Sequence, residues 1–194
     1  VRFIDAPERE NLSNKEFINE KEIKISNLDF KYPDGTHSLK NISINFKKNN
    51  LTAVVGHSGC GKSTLVSVLA GELKAEKNKI FVDNVDIYNI KLEDIPRHIL
   101  KITHDSHIFS GTLRENLMMA DKDLTDESMI SVLKKVKLWN LFSNLNGLDT
   151  VLESQGKNLS GGQAQRVGLA RALLFDASIY IFDEATSNID IESE

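Results

Sequence analysis

Apolar residues recur with a period of two in the first quarter of the chain. Ile23 and Ile25 alternate with Lys24 and Ser26, and Leu28 and Phe30 then continue in the opposite phase. This predicts a strand over residues 22–30 with a bulge or strong twist at the slip, because one extra residue moves every later side chain to the other face. Asp34-Gly35 marks a turn, and Ile42-Ser43-Ile44-Asn45-Phe46 alternates cleanly into a second strand. Asn49-Asn50 turns the chain into the apolar run Leu51-Thr52-Ala53-Val54-Val55, a third predicted strand. Residues 79–82 and 85–88 flank Asp83-Asn84 as a hairpin or tight loop. Residues 99–103 and 178–182 are short apolar strands.

Helical spacing appears in four places. Residues 64–69 are helix-compatible. Ser110-Gly111-Thr112 opens a helix over residues 113–119. Thr125 is a good N-cap for the clearest amphipathic helix: Asp126 and Glu127 fall in its first turn, and Lys134, Lys135 and Lys137 lie toward its end. Met129, Val132, Leu133 and Val136 share one face of it. A last helix spans residues 162–174 with Val167, Ala170 and Leu174 inward. Residues 1–21 are polar, charged and weakly patterned, and read as a linker or arm. There are no internal repeats.

At 194 residues, 40% hydrophobic and 27% charged, the chain fits one soluble globular domain with a subdomain. A formal charge of −4 gives no reason to expect nucleic acid as a partner. Cys60 is the single cysteine, which excludes an intrachain disulfide; with no secretory signal, this agrees with a cytosolic setting. No apolar run approaches the ~18 residues of a membrane span.

Gly56-His57-Ser58-Gly59-Cys60-Gly61-Lys62-Ser63-Thr64 reads G-x-x-x-x-G-K-[ST], a P-loop between a predicted strand and a predicted helix. The glycines let backbone N–H groups turn toward a phosphate. A helix starting near Lys62 aims its positive end at the same anion. Lys62 is expected to reach the β- and γ-phosphates, and the Ser63 hydroxyl to ligate Mg²⁺. Further along, an apolar strand ends in Asp183-Glu184. After a P-loop this looks like a Walker B element: Asp183 would hold Mg²⁺, directly or through water, and Glu184 would polarise the attacking water as general base. Without the P-loop, the same acids would read as caps of the following loop.

Leu159-Ser160-Gly161-Gly162-Gln163 resembles the signature motif of the ATP-binding cassette (ABC) ATPases, as do the downstream Gln165-Arg166 and Ala170-Arg171-Ala172. A serine and two glycines at a helix N-terminus make an anion site with close backbone access. The resemblance covers nearly the whole chain. It implies an α/β fold: a P-loop NTPase core (about 22–104 and 164–194) with an N-terminal antiparallel β-subdomain and an inserted α-helical subdomain (about 105–163). It implies ATP and Mg²⁺ as cofactors. It also implies a second nucleotide-binding domain, identical or paralogous, packed head-to-tail so that each signature faces the γ-phosphate on the other's P-loop. The segment from Asp105 to Asn116 is similar to the exporter stretch after the Q-loop, which implies an exporter's transmembrane domain as partner at the cytoplasmic face of the membrane. A groove around Ile108 and Phe109 would receive its coupling helix. Tyr32 matches the A-loop aromatic that stacks on adenine, for which a flat π-face is suited; a half-buried edge aromatic is the alternative. Residues 187–190 sit where the D-loop does, and residues 1–11 resemble the tail that joins an exporter's last membrane helix to this domain.

The sequence departs from that pattern at three places. His104 stands where the Q-loop usually carries Gln. Mg²⁺ prefers oxygen ligands, so His104 either leaves the metal to water, shifts its preference toward Mn²⁺, or is only a polar loop residue. Glu153 either substitutes for an exporter-loop Glu found one position later or that contact is lost. Only ten residues follow Glu184. The family's switch histidine lies beyond, and His57, His98 and His107 do not match its position, so the chain as given is expected to bind nucleotide and hydrolyse it weakly or not at all. A chromosome-maintenance ATPase would carry hundreds of residues between P-loop and signature, whereas Lys62 and Ser160 are 98 positions apart. A non-hydrolysing regulatory module is the remaining alternative; the presence of Glu184 and the full signature weighs against it.

Overall fold

The computed structural model describes residues 22–47, 49–90, 95, 99–103, 107–177 and 179–183. The arm over residues 1–21, His104, Ser178 and Glu184 lie outside the described residues. The described residues fall into two compact units, one ending at Ile99 and the other beginning at Leu100.

The first unit is built on an antiparallel sheet of β1 (Ile23–Lys31), β2 (His37–Phe46), β3 (Ile80–Val82) and β4 (Val85–Asp86), in the order β2-β1-β3-β4. The phase slip in β1 is a bulge. Ile25 pairs with Ile44 and Leu28 with Ile42, so β1 advances one residue more than its partner. Asn27 absorbs the extra residue at φ 47°, and Asn41 opposite it sits at φ 48°. The Asn27 N–H donates to Ser43 Oγ at 2.9 Å, and its amide donates to Asn41 Oδ1 at 2.9 Å. Ile23, Ile25, Leu28 and Phe30 are all buried as a result.

Asp83 and Asn84 both have positive φ, which makes the two-residue turn that matches strand twist between β3 and β4. The strand expected to run to residue 88 stops at Asp86. The buried Asp86 carboxylate accepts from the N–H groups of Asn78 (2.6 Å) and Tyr88 (3.0 Å), and the second of these turns Ile87–Asn89 into a 3₁₀ helix. Helix α1 (Lys62–Leu69) buries Leu65, Val68 and Leu69. The run Leu51–Val55 is not a strand in this structure: it has no ladder partner among the described residues, and Leu51 and Val55 are exposed. Strand formation needs a neighbour to satisfy the backbone, and an apolar run alone does not supply one.

The second unit contains β5 (Ile99–Thr103) from Leu100 onward, paired with β8 (Ile179–Asp183), and β6 (Gly111–Thr112) paired antiparallel with β7 (Val151–Leu152). Its helices are α2 (Leu113–Met118), α3 (Asp126–Lys135), α4 (Trp139–Ser143) and α5 (Gly161–Leu174). A capping box starts α2: Glu115 N–H donates to Thr112 Oγ1 at 3.1 Å, and Thr112 N–H returns to Glu115 Oε2 at 2.7 Å. Thr125 caps α3, with its acids first and lysines last. Leu113, Leu117, Met129, Leu133, Phe142 and Val167 meet in a fully buried core with Ile108. Arg114 bridges Asp126 and Asp149 across the surface, and its guanidinium holds the Asp126 carboxyl below the usual carboxylate range.

Asn116 is the polar residue on which this packing turns. It is 1% exposed. Its Nδ2 donates to the carbonyls of Phe109 (2.9 Å) and Thr112 (3.0 Å), and its Oδ1 accepts the Phe109 N–H at 3.0 Å. Alanine there leaves those backbone groups without a partner. Asn116→Ala is expected to lower unfolding stability by about 3 kcal/mol, since each stranded buried group costs about 1–3 kcal/mol. Denaturant titration checks this.

Candidate functional site

The P-loop is an exposed turn closed by the start of α1. Gly59 and Gly61 have φ of 77° and 97°, in the left-handed region. A Cβ on Gly61 would lie 2.6 Å from the Ser38 carbonyl oxygen and 3.1 Å from Leu39 Cδ2, so β2 presses directly on the loop. No side chain caps α1, and its first turn holds no acid. Its amide groups and positive end are therefore left for an external anion. The Lys62 ammonium folds over the loop and donates to the carbonyls of Gly56 (2.9 Å) and His57 (3.0 Å), with Cys60 Sγ at 4.0 Å. His57 and Ser58 are joined by a 2.9 Å hydrogen bond, and the Ser63 hydroxyl group belongs to an exposed residue. Open glycines, an uncapped helix and one ammonium fit a polyphosphate.

Tyr32 sits in the β1–β2 turn. Its ring meets Phe30 edge-on at 5.1 Å, and its phenol lies 2.9 Å from Thr64 Oγ1 on α1.

In the second unit, Ser160 starts α5 through a capping box. Its Oγ accepts the Gln163 N–H at 3.1 Å, and its own N–H donates to Gln163 Oε1 at 2.9 Å. An oxygen that accepts in this way keeps its own O–H free to donate. A Cβ on Gly161 would meet nothing within 4 Å, so the turn is open to close approach. Arg166 Nε donates to the Gly162 carbonyl at 3.2 Å and steadies the same turn. Asp183 closes β8, and Lys101 Nζ stands 3.9 Å from its Oδ2. Among the described residues no group of three or more His, Cys, Asp and Glu is placed to hold a metal. Ser63 in the first unit and Asp183 in the second each carry an oxygen donor of the hard kind that Mg²⁺ prefers.

Two features were not visible in the sequence. Arg171 donates to the His107 carbonyl at 3.0 Å and lies over the Phe109 ring at 5.7 Å; burial pushes its pKa below the ordinary guanidinium value. It borders a cavity of about 320 Å³, lined also by Ile102, His107, Met119 and Phe175. The groove expected around Ile108 and Phe109 is corrected in one respect: Ile108 is 0% exposed, locked in the helical core, while Phe109 is 41% exposed. An aliphatic side chain flanked by α2 and α5 partners gains more from that core than from a surface.

The family profile described as "ABC transporter" matches residues 39–187. The chain belongs to the ABC transporter family. This ABC domain is 43% identical over 194 residues to an uncharacterized ABC transporter ATP-binding protein of Haemophilus influenzae, covering 99% of the chain and 35% of the relative. It is 38% identical over 176 residues to an ATP-dependent lipid A-core flippase of Wigglesworthia glossinidia brevipalpis, covering 89% of the chain and 30% of the relative. A solved bacterial Atm1-family ABC exporter with ATP bound superposes with a TM-score of 0.85 at 27% identity, covering 94% of this chain and 32% of that one. The ABC domain thus spans about a third of the length of these relatives, and its fold is that of an exporter's ATP-binding domain. Among the described residues no helix is long and apolar enough to cross a membrane.

Proposed function

We propose that this ABC domain powers a membrane exporter by binding and hydrolysing ATP with Mg²⁺ between two head-to-tail domains at the cytoplasmic face of the membrane. The observation that carries the reading is one chain holding two complementary anion sites. One is the uncapped P-loop helix, and the other is the Ser160 turn, whose glycine side is open. Residues 56–64 cradle the phosphates, with Lys62 on the terminal ones, and Tyr32 carries the adenine. Ser63 and Asp183 would hold Mg²⁺, whose charge would offset that of the phosphates, and Glu184 would orient the water. Ser160, Gly161, Gly162 and Gln163 complete the neighbouring domain's site. The exposed Phe109 and the cavity beside His107 and Met119 offer the coupling helix of the transmembrane partner its seat.

ATP turnover by the intact protein in lipid tests this. Turnover of about 1–100 s⁻¹ is expected, and Glu184→Gln is expected to lower it at least about 100-fold, the usual worth of a general base. ATP affinity should stay within a factor of about three. An intact protein that binds ATP without turnover would favour the non-hydrolysing regulatory module instead.

At the Q-loop position, His104 leaves the metal to water, moves its preference toward Mn²⁺, or is only a polar loop residue. The ratio of Mn²⁺- to Mg²⁺-supported turnover in the intact protein and in His104→Gln tests the Mn²⁺ reading: equal ratios would remove it.

A further inference from the structure

Thr64 is a polar residue buried in the first turn of α1, and its hydroxyl is approached from two sides. Ser38 Oγ, on β2, donates to Thr64 Oγ1 at 2.7 Å. The Tyr32 phenol lies 2.9 Å from the same oxygen. Ser38 also meets the P-loop through its main chain, since its carbonyl fills the space beside Gly61. Tyr32 is consequently held at three points, one on its backbone and two on its ring. Its N–H donates to the Thr36 carbonyl at 2.9 Å, its edge packs on Phe30, and its phenol ends in the Ser38–Thr64 pair.

A threonine hydroxyl has one proton and two lone pairs. With Ser38 donating into one lone pair, Tyr32 takes either the other lone pair or the proton. In both arrangements the three hydroxyls form one network, so removing an end member loosens the other end.

We propose that Ser38 is a positioning residue of the nucleotide site: acting through Thr64, it fixes the Tyr32 phenol and so sets the plane of that ring before a purine base arrives. This rests on the reading of Tyr32 as the base platform. The chain of hydroxyls acts on the base half of the ligand. The phosphate half sees the P-loop amides and Lys62; of the three hydroxyls only that of Thr64, the last P-loop residue, belongs to the loop, and its bonds run to Ser38 and Tyr32. Two consequences follow. Tyr32→Phe keeps the whole π-face and is nevertheless not silent. Ser38→Ala reproduces its effect from a residue that meets no ligand.

Calorimetry on the intact protein tests this with two probes, ATP and inorganic tripolyphosphate, the second lacking a base. Ser38→Ala and Tyr32→Phe are each expected to weaken ATP about 3- to 10-fold, the worth of one such hydrogen bond. The double variant should be no weaker than either single one, and tripolyphosphate affinity should be unchanged in all three. Equal loss for ATP and tripolyphosphate would mean a general disturbance of the loop and would overturn the proposal. So would unchanged or tighter ATP binding in either single variant. Tyr32→Ala separates the two layers. If it weakens ATP while Tyr32→Phe does not, the stacking role stands and the hydroxyl chain falls. If Tyr32→Ala is also silent, both fall.

Discussion

Gly61→Ala is expected to abolish measurable ATP binding and to destabilise the first unit by about 2–4 kcal/mol, in the range of a strained backbone combined with a core clash. Two costs add at this position. An L-residue at φ 97° sits in the left-handed region, which costs about 1–2 kcal/mol. The new Cβ would also stand 2.6 Å from the Ser38 carbonyl oxygen. That carbonyl cannot move away cheaply, because β2 is laddered to β1 on both sides of it: Leu39 pairs with Phe30 and His37 with Lys31. The strain must therefore be relieved by moving the loop, which disperses the amides that would meet the phosphates. Gly59 supplies the internal control. Its φ is 77°, yet a Cβ there would meet nothing within 4 Å. Gly59→Ala should cost only that conformational part, about 1–2 kcal/mol. Thermal unfolding and ATP titration of the two variants side by side check the difference.

Lys62→Ala is the second large effect, and it should separate binding from folding. The ammonium donates to acceptors of its own exposed loop: the carbonyls of Gly56 and His57 and, at 4.0 Å, Cys60 Sγ. Removing it strands no buried group, so unfolding stability should change by less than about 0.5 kcal/mol, as for surface substitutions generally. Charge-assisted hydrogen bonds to phosphate oxygens are another matter. Each contributes about 1.5–3 kcal/mol, so loss of one or two weakens ATP about 10²- to 10³-fold. ATP titration beside a thermal melt gives both numbers. A Lys62→Ala protein that melts early and binds ATP normally would place the lysine in the fold and not in the site.

Local signals carried most of what the sequence revealed. The alternation of Ile23, Ile25, Leu28 and Phe30 showed the bulge before Asn27 and Asn41 explained it, because a slip of one residue is a purely local event. The N-cap residues Thr112, Thr125 and Ser160 marked three helix starts for the same reason: the cap bonds to its own second or third neighbour. Residues whose role depends on distant partners were not legible. Ser38 carries no motif and gains its place from α1, 26 positions away. Arg171 reaches the His107 carbonyl 64 positions away. The exporter resemblance puts Ile108 in a surface groove, and only the packing of the helical core removes it from there. Leu51–Val55 has the composition of a strand and no ladder partner among the described residues, which composition cannot report.

The proposed function depends on a phosphate group shared between one subunit's glycine loop and its neighbour's serine turn. The direct measurement is a structure of the intact protein carrying Glu184→Gln, bound to ATP and Mg²⁺. The prediction is two nucleotides, each with its γ-phosphate against residues 59–63 of one subunit and within hydrogen-bond distance of Ser160 Oγ of the other. ATP held by the P-loop alone, with the Ser160 turns facing solvent or each other, would contradict it.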